Sequence, residues 1–184
     1  NGGAQTVTAN HCSFVAGIAG GDASSNFRGV APDVDFYLSQ FADTAVNQAA
    51  DIDTSRAAGG DVINNSWGFA SLTVDVIQGD IDANPSNTIY QNLSLRIAET
   101  AADFETLVTA YNNYQDAGGI IVWSAGNDST KSDTTLMHAL PVWISSLAEA
   151  WVVVGNVQYS GSNMANETGD SNFANQGNKT HTIE

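Results

Sequence analysis

Three short apolar stretches constrain this chain most: DVINNS from Asp61, IIVWSA from Ile120 and WVVVGNV from Trp151. Each has strand length and is rich in β-branched or aromatic residues. The first two follow paired glycines, Gly59–Gly60 and Gly118–Gly119, of the kind that stop helices. The segment 43–58 before the first pair sets Ala45, Ala49 and Ile52 on one helical face. Before the second pair, Leu93 to Ala117 reads as a long helix, with Ile97, Ala101, Phe104, Val108, Tyr111 and Gln115 at helical spacing. Strands apolar throughout, alternating with helices, predict an α/β fold in three layers, a mostly parallel sheet with helices on both faces. The functional site is then expected at the carboxyl ends of the strands.

The remaining segments fit around that frame. A first helix is expected from His11 to about Ala19, capped by Asn10. The stretch GVAPDVDFYLSQF reads as a turn at Pro32 and a strand from Asp35 to Ser39. The polar region from Phe69 to Asn92, with Asn and Asp around Pro85, reads as a long surface loop. A shorter helix is expected from Trp143 to Ala148, and the Ser-, Asn- and Gly-rich chain from Gln158 onward as loop.

Composition limits the partners. Twenty acidic residues face five basic ones, a net charge of −15. This argues against nucleic acid, whose phosphates require Lys and Arg, and against an anionic membrane surface. No apolar run is long enough to span a bilayer, so no membrane contact is expected of this segment. A single cysteine, Cys12, excludes an internal disulfide.

Three turns carry possible chemistry: NHCSFVAG, NNSWG and SAGNDS. Each has a bland reading alone, as a core histidine, a strand end and a loop. In this order, and together with GVAP at Gly29–Pro32, VVVGNV and FANQG at Phe173–Gly177, they resemble the subtilisin-like serine proteases, the subtilases. The NNSWG form is most similar to the subtilase domains of bacterial autotransporters. The resemblance covers nearly the whole chain and implies a serine endopeptidase, acting on peptide or protein substrates and secreted or displayed at a bacterial surface. It implies His11 as general base and Asn127 as oxyanion-hole donor. It implies Ser66, Trp67 and Gly68 as the edge that pairs with substrate main chain, faced by Ser124, Ala125 and Gly126. A serine hydroxyl is a weak nucleophile until a base removes its proton. The positive end of a helix suits such a base, because it disfavours imidazolium in the resting state. Core packing is the expected duty of Trp123.

Several positions depart from the family pattern. The resemblance places a catalytic Asp before His11 and a catalytic Ser after FANQG, and no matching motif for either stands here. The expectation is therefore a partial catalytic domain over residues 1–184, incomplete at both ends and inactive alone. GSNMA at Gly161–Ala165 puts Asn163 where a nucleophile would stand, with Ser162 one place early. Cys12 and Phe14 replace the glycine and histidine usual in the base's motif. A Cys12–His11 dyad is disfavoured, because adjacent helical side chains point about 100° apart; a small buried thiol is the default for Cys12. His138 and His181 show no ligand partners, and a surface or core role is expected for both. No cofactor is required. A structural calcium ion is allowed by the resemblance, with Asp22, Asp33, Asp35, Asp80 and Asp82 as acidic candidates, but they lack an EF-hand spacing and solvated surface is the default. Two alternatives stay open: an inactive pseudoprotease or peptide-binding module on the same fold, and an unrelated α/β ligand-binding domain.

Overall fold

The computed structural model describes residues 8–22, 28–39, 44–69, 72–125, 135–155, 157–160, 163–166 and 182–183, with side chains between 11 and 155. The chain divides into two compact units, 1–39 and 40–184.

In the first unit α1 runs Thr8–Gly20. It starts before Asn10, which is therefore inside the helix and not its cap. The end of α1 is closed by the GVAP segment: Val30 N donates to Ile18 O at 3.0 Å and Ala31 N to Ala19 O at 2.7 Å. These bonds take up helix-end carbonyls that would otherwise lack partners. The expected strand Asp35–Ser39 pairs with no other strand among the described residues, so its apolar run alone does not make it a ladder.

The second unit holds a four-stranded parallel sheet in the order β1 (Val62–Asn65), β2 (Ile120–Ser124), β3 (Trp151–Val154) and β6 (Thr182–Ile183). Helix α2 (Ala45–Ala57) is capped by Thr44, whose side chain accepts from Asn47 N, and packs against α5 (Ala101–Asp116). The glycines after both helices, Gly59 and Gly118, have φ of 80° and 92°. Only glycine takes this left-handed conformation without strain, so the expected stop signals act as such.

One face of the sheet is tightly covered. Ile121, Trp123, Trp151 and Val153 are buried on it, with Phe104, Leu107, Val108, Tyr111 and Tyr114 of α5 in the same core. Intervening residues Val62, Ile120 and Val154 are exposed. Trp123 and Trp151 stack at 5.5 Å and 25°, and the Tyr111 ring lies 5.1 Å from Trp151. The sheet and helices together are an α/β fold, as the alternation predicts.

Four expectations differ from the structure. The region read as a loop contains α3 (Val74–Ala83) and α4 (Ile89–Ser94). Val74 and Ile77 are buried three residues apart, and Thr88 with Gln91 forms a capping box that starts α4. The long helix is two helices: α4 ends at Ser94, and a second capping box between Thr100 and Asp103 starts α5 at Ala101. In place of a helix at Trp143–Ala148 stand two 3-10 turns, Leu140–Val142 and Ser145–Leu147. The polar stretch after Gln158 contributes an antiparallel hairpin, β4 (Val157–Ser160) with β5 (Asn163–Asn166).

Candidate active site

The parallel register sets the two candidate substrate walls side by side. Asn65 at the end of β1 pairs with Trp123 of β2, so Ser66–Gly68 and Ser124–Ala125 leave the sheet at the carboxyl ends of adjacent strands. This is where an α/β sheet exposes a site. The β2 wall is fixed to the next strand by Ala125 N, which donates to Val154 O at 2.8 Å. Asn65 is buried and reaches the same strand, donating from Nδ2 to Val122 O at 3.4 Å.

The edge itself is held from beneath. Ser66 Oγ accepts from Asn64 Nδ2 at 2.9 Å. The half-buried Trp67 indole meets Trp123 edge-on at 5.1 Å and Phe69 at 5.9 Å. Trp67 and Phe69 also line a largely apolar pocket, together with residues that include Ala45, Gln48, Ile97, Phe104 and the carboxylate-bearing Glu99. The Trp67 carbonyl accepts from Nε2 of His138 at 3.0 Å, which fixes the ring proton on Nε2. Gly68 is exposed, yet a Cβ there would lie 2.6 Å from His138 Nε2. Glycine is therefore required by contact with the ring beneath as well as by any ligand above.

For His138 the sequence predicts only a surface or core role. It is 2% exposed, beside Trp123 at 5.4 Å, with Thr135 Oγ1 3.4 Å from Nδ1. Burial pushes its pKa down, while the backbones of Trp67 and Ala125 pull it the other way. Its partner Trp67 lies 71 residues away in sequence, so no local pattern marks the contact. Trp123 is fully buried, as its apolar strand predicts.

His11 is the fourth residue of α1 and is exposed, at the close of the helix's first turn. No acidic residue shares that turn. Cys12 is exposed, against the expectation of a buried thiol, and Phe14 is 68% exposed. Asn127 and Gly126 lie outside the described residues, as do His181, Gly161 and Ser162. The described walls are thus Ser66, Trp67, Gly68, Ser124 and Ala125.

No group of three or more metal-ligating side chains occurs among the described residues. Two of the acidic calcium candidates are engaged otherwise. Asp80 accepts twice from Arg96 at 2.7 Å, which holds its carboxyl below the usual range, and Asp82 accepts from Gln78 Nε2 at 2.9 Å. Among the described residues no helix is long and apolar enough to cross a membrane.

An α/β protein with two strand-end walls beside a buried imidazole is thereby defined. The sequence profile of the subtilase family matches residues 4–182, and the chain belongs to that family. A search of curated proteins finds no match. Among solved structures it is similar to the prenylagaramide maturation protease PagA, at 17% identity and a TM-score of 0.55, over 92% of this chain and 48% of that one. At that identity the likeness speaks for the fold alone, and the chain spans about half the length of that protein.

Proposed function

We propose that this chain is part of a serine endopeptidase, with His11 as general base and Asn127 as oxyanion donor. Family membership supports the reaction class. The observation that carries the reading is the placement of Ser66–Gly68 and Ser124–Ala125 at the carboxyl ends of adjacent parallel strands. An extended peptide adds to such an edge through its backbone, so recognition by Ser66 and Gly68 is tolerant of sequence. The apolar pocket beside Trp67 takes one substrate side chain and supplies selectivity.

In this reading a serine and an aspartate come from segments of a longer protein flanking residues 1–184. The serine hydroxyl gives its proton to neutral His11 as its oxygen attacks the scissile carbonyl. The aspartate orients the ring and stabilises imidazolium as it forms. The Asn127 amide donates to the oxyanion of the tetrahedral intermediate. His11 then returns the proton to the leaving amine, and water repeats the cycle on the acyl-enzyme. No cofactor takes part; any calcium would be structural. The acting protein is secreted or displayed at a bacterial cell surface.

A fluorophosphonate probe tests the reading on the full-length protein. Wild type should be labelled at one serine, and His11→Ala should slow labelling at least about a thousandfold. Equal labelling of both would remove His11 from the mechanism. The exposed Cys12 and Phe14 in the base's own turn favour one competing reading, a peptide-binding pseudoprotease. That reading predicts peptide binding by wild type with no labelling at all.

A further inference from the structure

We propose that His138 is a positioning residue for the substrate edge, a single imidazole that links Trp67, on one wall, to Trp123, which lies beneath the other. The proposal takes its substrate from the peptidase reading above; the structural link stands on geometry alone.

His138 Nε2 donates to the Trp67 carbonyl at 3.0 Å. The Ala125 backbone, at the end of β2, acts on the same ring. Below, the ring packs on Trp123, and the backbone of His138 is itself anchored, its carbonyl accepting from Trp151 Nε1 at 3.0 Å. The imidazole is thus tied to the segment after β1 through Trp67 and to β2 through Trp123, while the backbone of His138 is tied to β3 through Trp151. A buried polar side chain with a well-placed acceptor specifies one arrangement of the groups around it.

The contact also takes the Trp67 carbonyl out of the set of backbone groups that a docking peptide can reach. Without the imidazole this carbonyl loses its donor and the edge can turn or slip. Gly68 records the same fit sterically, since a methyl there would press on Nε2 at 2.6 Å.

Two measurements on the full-length protein test this. The first is amide hydrogen exchange in wild type, His138→Phe and His138→Gln. Phenylalanine keeps a ring but no donor; the glutamine amide restores one. His138→Phe should speed exchange about tenfold or more at 66–69 and 124–125, with α5 unchanged, and His138→Gln should recover most of the protection. Equal behaviour of the two variants, or faster exchange spread evenly through α5 and β2, would overturn the proposal and leave His138 as ordinary core. The second is hydrolysis of an extended peptide. His138→Phe should raise KM about tenfold with kcat nearly unchanged, and His138→Gln should return KM most of the way to that of wild type. An unchanged KM in an active His138→Phe enzyme would overturn the proposal while sparing the peptidase reading. A wild type that hydrolyses no peptide, with the exchange pattern as expected, would overturn the peptidase reading and keep the link between the walls.

Discussion

Helix α1 and the end of strand β2 carry the two halves of the proposed chemistry, and the chain builds them in opposite ways. From His11 to Gly20 no side chain of α1 is buried, and Phe14 and Ile18 are 68% and 42% exposed. Between His11 and Gly20 only Val15, Ala16, Gly17 and Gly20 are even half-buried, so this stretch gains little from packing. Its order comes from its end, where Val30 and Ala31 take up the last carbonyls. The β2 end rests instead on Trp123, Trp151, Tyr111 and His138, all buried. The candidate base is therefore held by backbone bonds near the surface, and the candidate substrate edge by side chains in the core.

The contrast can be broken by substitution. The largest stability effect should come from Trp123→Ala, which empties a fully buried indole site and should cost about 3–5 kcal/mol in urea unfolding. A loss under 1 kcal/mol would mean that the core does not hold the β2 end. Next comes acidity. Burial lowers the folded pKa of His138, so the unfolded chain binds this proton more readily. Its contribution to stability is complete above about pH 6.5 and is lost as the pH falls through that value toward the folded pKa. Wild type should lose stability between pH 7.5 and 5 more steeply than His138→Phe; parallel curves would sink the assignment of a buried neutral ring. Thr100→Ala, which removes the capping box of α5, should cost about 1 kcal/mol. Phe14→Ser on α1 should shift stability by no more than about 0.5 kcal/mol. If Phe14→Ser proved as costly as Trp123→Ala, the two regions would not differ as described.

The parts of the molecule that were legible in sequence are those whose signals are local. Gly59 and Gly118 marked helix ends, and the β2 and β3 strands announced themselves by unbroken apolar runs. The capping boxes at Thr88 and Thr100 were equally local, but Asn and Asp around Pro85 masked the first. The helical spacing of Ile97 and Ala101 hid the break that the second creates. Val74 and Ile77 gave α3 its buried side within a stretch otherwise polar. The strand end before Ser66–Gly68 is readable because the apolar run of β1 gives way to Asn64 and Asn65. His138 is not, since its role exists only once residues 71 apart in sequence meet. Cys12 misled in the opposite direction: a thiol in an apolar run suggests burial, but α1 leaves this side uncovered.

The most direct test of the central claim is the turnover number of Asn127→Ala in the full-length protein on an extended peptide. If Asn127 donates to the oxyanion above the edge formed by Ser66–Gly68, kcat should fall about 10²–10³-fold with KM little changed. An unaltered kcat would contradict the account, and would leave the walls at the sheet's carboxyl ends as a binding site without this chemistry.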